Sequence, residues 1–133
     1  MSINYAVVVE KYAVRHFIAN FKKKYKRAWD VTWIAMHEEF KRIDALIAVT
    51  KIAKVIVATK DIKIVKTEFR VHGTQESRHA SGNRCIIAVH NVTATVHVLL
   101  VYNKNDLSDG NETAQWKALV QENYREYAGM VKW

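Results

Sequence analysis

The chain has no proline, four glycines and one cysteine in 133 residues. That leaves almost no material for a flexible linker. No internal repeat or low-complexity stretch interrupts it, so a single domain spanning 1–133 is expected. The lone Cys85 excludes an intrachain disulfide and, lying inside an apolar run, reads as a small core residue. A reducing, cytoplasmic setting is therefore expected, and Met1–Tyr5 lack the charged-then-apolar layout of a signal peptide. The longest apolar runs, such as 96–102, are far too short to span a bilayer, so no membrane association is expected. The six histidines are scattered and show no zinc-type spacing. There is no glycine-rich phosphate loop and no Gly-x-Ser-x-Gly elbow. Neither a metal nor another cofactor is expected.

Acid is also scarce where base is dense. The net charge is +8, and from Lys11 to Arg27 seven basic residues occur with no acid. Lys22, Lys23, Lys24, Lys26 and Arg27 form the densest part of this run. Solubility alone favours mixed signs. A one-signed cluster instead fits attraction to a polyanion, with RNA as the expected partner.

Hydrophobic residues make up 50% of the chain, enough for a real core. Tyr5–Glu10 is β-branched and reads as a strand. The three-four spacing of Val14, Phe17, Ile18, Phe21 and Tyr25 predicts a helix over 11–25. Asp30 is a candidate N-cap for a second helix with Trp33, Met36, Phe40, Ile43 and Ile47 on one stripe. Two such helices predict an antiparallel hairpin. Residues 51–60 suit either a helical turn or a strand. Alternation over 65–72 puts Val65, Thr67, Phe69 and Val71 on a core face and Lys66, Glu68, Arg70 and His72 on a charged face. Residues 84–90 and 95–103 read as two further strands joined in a hairpin. A polar loop over 105–112 and a last helix from about Thr113 follow, with 127–133 expected as a loose tail. The expected fold is α+β: a small antiparallel sheet, packed on one face by the N-terminal helical hairpin, plus a C-terminal helix.

The candidate site residues are the cations and polar groups around that sheet: Lys66, Arg70, His72, Arg78, His79, Arg84, Tyr102 and Lys104. From Ile62 to Lys104 there are six Lys/Arg and two Glu. Such groups suit RNA cleavage by attack of a 2′-hydroxyl on the adjacent phosphorus. That reaction needs a base, an acid and cations around a crowded phosphorane, and a histidine titrates in the right range to move the proton. The alternative is a solvated outer sheet face, in which Arg84 pairs with an acid such as Glu68 or Glu76 and pins the loop.

The order of a helical pair, a strand with basic residues, a polar loop ending Ser81-Gly82-Asn83-Arg84 and the apolar strand Cys85–Val89 resembles RelE/ParE-type toxins of bacterial toxin–antitoxin pairs. A second apolar strand ending at Lys104 extends the resemblance, which covers roughly residues 5–124. Many members of that family cleave messenger RNA on the ribosome, while others poison DNA gyrase. The resemblance implies an endoribonuclease toxin neutralised by an acidic antitoxin protein. It also implies that Arg84 lies beside the scissile phosphate, that Lys104 is the basic residue after the last long strand, and that Arg70, His72, Arg78 and His79 belong to the basic strand–loop region. Lys22, Lys23, Lys24, Lys26, Arg27, Lys66 and Arg78 are expected to bind RNA. The acidic stretch after Lys104 departs from the family pattern, which ends RNA-cleaving members with Arg, His or Tyr, and Tyr102 is the candidate substitute.

Overall fold

The computed structural model describes residues 4–107 and 111–132. The described chain runs β1 (Ala6–Val9), α1 (Lys11–Ala13), a π-helical turn (Val14–Ile18), α2 (Ala19–Tyr25), α3 (Arg27–Lys41), α4 (Ile43–Val49), β2 (Ala53–Ala58) and β3 (Ile62–Phe69). It continues through α5 (Arg78–Ser81), β4 (Asn83–His90), β5 (Thr95–Asn103), a 3₁₀ turn (Lys104–Asp106), α6 (Glu112–Asn123) and α7 (Arg125–Ala128). Residues 108–110 of the expected polar loop and Trp133 of the expected tail lie outside the described residues.

The fold is α+β, with a five-stranded sheet of order β1-β5-β4-β3-β2. Neighbouring strands are antiparallel except β1, which lies parallel to β5 with Ala6 opposite Thr95. The all-antiparallel expectation fails there because the helical pair carries the chain back across the sheet before the later strands form. The ambiguous stretch at 51–60 is the edge strand β2.

The helical hairpin is present, with two differences in detail. The π turn rotates the stripe, so Val14, expected in the core, is exposed. The second helix starts at Arg27 behind Lys26, whose φ is 53°, and not behind Asp30, which lies in its first turn. This earlier start buries Trp29, which rings Phe21 and Phe69 at centroid distances of 5.0 and 6.0 Å. Met36, Phe40 and Ile43 are buried as their spacing predicts, against Val65, Cys85, Ile87 and Val98 of the sheet.

The opposite face of the sheet is not left to solvent. Ile64, Ile86, Ala88, Leu99 and Leu100 form a second core with Trp116, Val120, Tyr124, Tyr127 and Val131. The expectation of a one-sided sheet is thus corrected. So is the loose tail: Tyr127 and Val131 are buried, the Tyr127 hydroxyl lies 2.7 Å from His90 Nε2, and Gln121 Nε2 donates to the Val131 carbonyl at 3.0 Å. Two short helical segments with few apolar residues conceal this docking from sequence periodicity.

A bulge accounts for the pairing of this second core. Ile86 lies opposite Leu100 and Ile87 opposite Val98, so Leu99 is extra in β5. Consecutive Leu99 and Leu100 therefore both enter the second core, and every later side chain of β5 changes face. Val101 points to the helical hairpin, and Tyr102 to the opposite side.

Truncating a fully enclosed aromatic removes its transfer energy and leaves a cavity. Phe40→Ala should destabilise the protein by about 3–5 kcal/mol in a denaturant melt, with native-like α+β circular dichroism retained at zero denaturant.

Candidate functional site

Three strand ends coincide. Phe69 closes β3 opposite Asn83, which opens β4 opposite Asn103, which closes β5. Arg70, the α5 turn and Lys104 therefore flank one edge of the sheet. Gly82 makes the join between α5 and β4. Its φ of +75° caps the short helix in the left-handed region, and an added Cβ would sit 3.1 Å from Lys104 Cγ. The Gly82 carbonyl accepts from Lys104 N at 2.8 Å, tying the β5 exit to the α5 turn.

One row crosses the sheet on the α6 side: Glu68 on β3, Arg84 on β4 and Tyr102 on β5 are direct cross-strand partners. Arg84 is enclosed, with 4% of its side chain exposed. Its Nη2 lies 3.2 Å from Glu68 Oε2 and donates to the His79 carbonyl at 3.1 Å, while Nη1 donates to the Asn83 carbonyl at 3.0 Å. A guanidinium can meet these divergent acceptors because its donors are fixed in a fork. As folded, Arg84 holds the α5 turn to the sheet, with both of its terminal nitrogens engaged inside the protein.

Glu68 has a second partner. His79, whose side chain is 82% exposed, brings Nδ1 to 2.6 Å from the same Oε2. A carboxylate on Nδ1 orients the ring and leaves Nε2 toward solvent. Arg84 thus positions Glu68, and Glu68 positions His79.

At the far side of the row, Tyr102 donates to Glu112 Oε2 at 2.6 Å and Lys66 Nζ lies 2.8 Å from the same oxygen. Burial, followed by this bond and the Glu112 charge, pushes the Tyr102 hydroxyl far above the ordinary tyrosine range. Burial also raises the Glu112 carboxyl, but hydrogen bonds from Lys66 and Tyr102 and the Lys66 and Arg84 charges outweigh it and hold the group below its usual value. Tyr102 and Lys66 are committed to the α6 cap.

Arg70 and His72 do not share the charged face predicted for them. The strand ends at Phe69, and both residues turn toward α3, where the His72 amide donates to Thr32 Oγ1 at 2.8 Å. They are exposed beside a cavity of about 410 Å³ whose floor includes Met36 and Phe69. Arg78, on the same cavity, forms a two-pronged pair with Glu39, at 3.1 and 2.6 Å. It is neutralised, unlike Arg70 and Lys104, which are exposed and form no salt bridge among the described residues. Lys22, Lys23, Lys24, Lys26 and Arg27 are all exposed at the end of α2 and the start of α3, and among the described residues a 3.9 Å approach of Lys22 to Asp30 is their one salt bridge.

The structure therefore divides the candidate residues in two. Lys66, Arg78, Arg84 and Tyr102 are internally paired; Arg70, His72, His79, Lys104 and the α2–α3 cations face solvent. The carboxylates that make this division, Glu39 and Glu112, lie 39 and 46 residues before and after the groups they neutralise in Arg78 and Lys66, and no local spacing signals them. Elsewhere, Cys85 is fully buried and burial pushes its thiol well above the normal range. Among the described residues no group of three or more His, Cys, Asp and Glu comes together to hold a metal ion, and no helix is long and apolar enough to cross a membrane. Compared with family models, curated proteins and solved structures, the chain matches none.

Arg84→Lys should lower stability by about 1–3 kcal/mol, because one ammonium cannot reach all these acceptors and buried carbonyls lose their donors. Glu112 generates a pH prediction. Its folded pKa lies below the ordinary 4.5, so its contribution is present above that pH and is lost as pH falls through the folded value. In denaturant melts the stability gap between the wild type and Glu112→Gln should accordingly be largest near neutral pH and shrink as pH falls below 4.5.

Proposed function

We propose that this chain is an RNA-cleaving toxin of the RelE/ParE kind, with His79 as its proton-transfer group. The observation that carries the reading is the sharing of Glu68 between buried Arg84 and exposed His79. It supplies an imidazole with one nitrogen held and the other open, at a sheet edge flanked by unpaired cations. The order of helical hairpin and basic sheet edge accords with the resemblance in sequence.

In this reading RNA is first drawn to Lys22, Lys23, Lys24, Lys26 and Arg27. His79 takes the proton of a ribose 2′-hydroxyl. The 2′-oxygen bonds to the adjacent phosphorus, and the P–O5′ bond breaks to give a 2′,3′-cyclic phosphate and a 5′-hydroxyl end, the leaving oxygen being protonated by water or by the same imidazolium. Arg70 and Lys104 stabilise the charge gathering on the phosphoryl oxygens. Arg84 is a positioning residue that acts through Glu68. The ribosome would serve as the platform on which messenger RNA is presented, and an acidic antitoxin would cover the cationic edge.

A second reading has its own support. Lys66, Arg78, Arg84 and Tyr102, four of the eight candidate groups around the sheet, are satisfied within the fold. That is the arrangement of a protein that binds without cleaving, such as a gyrase-directed toxin or a basic nucleic-acid module.

Cleavage of labelled messenger RNA in a translating extract separates the two. His79→Gln should abolish cleavage, on the order of a hundredfold or more, while leaving RNA affinity and its salt dependence unchanged. Replacing Lys22, Lys23 and Lys24 together by Gln should weaken binding and flatten the plot of affinity against salt. Undiminished cleavage by His79→Gln refutes the catalytic assignment, and salt-independent binding refutes the polyanion reading.

A further inference from the structure

The same sheet edge has a second side, facing the helical hairpin. There a cavity of about 240 Å³ opens between α2 and the ends of β4 and β5, lined by Asn20, Phe21, Lys24, Tyr25, Asn83, Asn103, Asn105 and Asp106. Its size suits one flat heterocycle better than an extended ligand. Its composition is unusual for a surface cleft: four carboxamides and a carboxylate around two aromatic rings.

The hydrogen bonds determine which of these groups are free. Asn103 is fully engaged: its Nδ2 donates to the Ser81 carbonyl and to Asn83 Oδ1 at 3.0 and 2.9 Å, and its Oδ1 accepts from Asn105 N at 2.9 Å. This fixes Asn83, which lines the cavity, with its oxygen turned to Asn103, and its amide nitrogen makes no hydrogen bond among the described residues. That nitrogen is not sealed in, since Trp116 Nε1 is the one fully buried side-chain polar atom without a partner among the described residues. Asn20 spends its nitrogen on the His16 carbonyl at 3.3 Å, leaving its oxygen as an acceptor. Asp106 is exposed and makes no side-chain hydrogen bond among the described residues. At the mouth, Lys24 Nζ stands 5.2 Å from the centroid of the Tyr25 ring.

Two features of the backbone build this arrangement. The bulge at Leu99 turns Asn103 to the hairpin side, opposite Asn83. The π turn at Val14–Ile18 immediately precedes the Asn20–Lys24 stripe, and insertions of this kind into a helix often accompany binding sites.

We infer that this cavity binds a guanine base, with the nucleotide's phosphate at Lys24. A carboxylate can accept from two adjacent donors, and guanine offers such a pair in N1–H and the exocyclic amino group. Its O6, next to them, matches a free amide donor such as Asn83 Nδ2. Half-buried Tyr25 supplies the aromatic surface on which a base stacks, backed by Phe21, which is itself buried against Trp29. Adenine, cytosine and uracil lack the paired donors and would set an acceptor against the Asp106 carboxylate, which is what favours guanine. The inference rests on the RNA reading for its biological sense, and gives that site a preference for guanosine near the cleaved bond.

The test is binding of the four ribonucleoside 5′-monophosphates, and of guanosine itself, to the full chain by calorimetry, with thermal melts confirming that each variant is folded. Guanosine monophosphate should bind at least about tenfold more tightly than the other three. Asp106→Asn should erase that preference, and Lys24→Gln should weaken all four monophosphates alike while leaving guanosine unaffected. Equal affinities for the four bases, or a preference that survives Asp106→Asn, overturns the inference. If RNA binds in a salt-dependent way but without guanine preference, the pocket fails and the RNA reading stands. If guanosine binds selectively while RNA does not bind, the pocket stands and the RNA reading fails.

Discussion

Strand β4 runs through the middle of a sheet that is covered on both faces, and every residue from Asn83 to Val89 is buried. A polar side chain placed on such a strand has to be satisfied inside the protein or it costs several kcal/mol. Arg84 is the charged residue that meets this condition. Its pairing with Glu68 and with the carbonyls of His79 and Asn83 satisfies the guanidinium on a mostly apolar strand. The turn is held by those bonds, Gly82 and Lys104 follow from the turn, and the solvent-facing His79 is carried on it.

The same constraint explains the distribution of charge. Three cations of the sheet and α5 are neutralised by carboxylates that arrive from other elements: Arg78 by Glu39 from α3, Arg84 by Glu68 from β3 and Lys66 by Glu112 from α6. The cations on the hairpin's outer end meet no comparable partner, and the net positive charge is concentrated there. In the function proposed above, long-range attraction of a polyanion and local chemistry would be divided between two surfaces that meet at one sheet edge.

Several elements could be read directly from residue order. The alternation from Val65 to Phe69, the apolar strands at 84–90 and 95–103, and the stripe of Met36, Phe40 and Ile43 each carry their own periodicity, since a strand or helix with one buried face must repeat at two or three-four residues. The boundaries were less legible. Lys26 in a left-handed conformation starts α3 three residues before Asp30, a position that composition does not mark. Val14 keeps the spacing of a core residue yet is exposed, because a π turn changes the angle per residue at that point.

Residue order by itself determined the α+β class, a helical hairpin with a one-signed basic end, and the residue types available at the sheet edge. These depend on local periodicity and on charge density, which need no knowledge of distant neighbours. Tertiary structure alone decided which of those residues are free. One extra residue at Leu99 rotates Tyr102 into the row with Arg84 and Glu68 and brings Asn103 opposite Asn83. Docking of α6 and α7 onto the second sheet face consumes Lys66 and Tyr102. Whether a cation faces a ligand or a carboxylate depends on partners tens of residues away, and such pairings are set by how the layers close, not by any spacing along the chain.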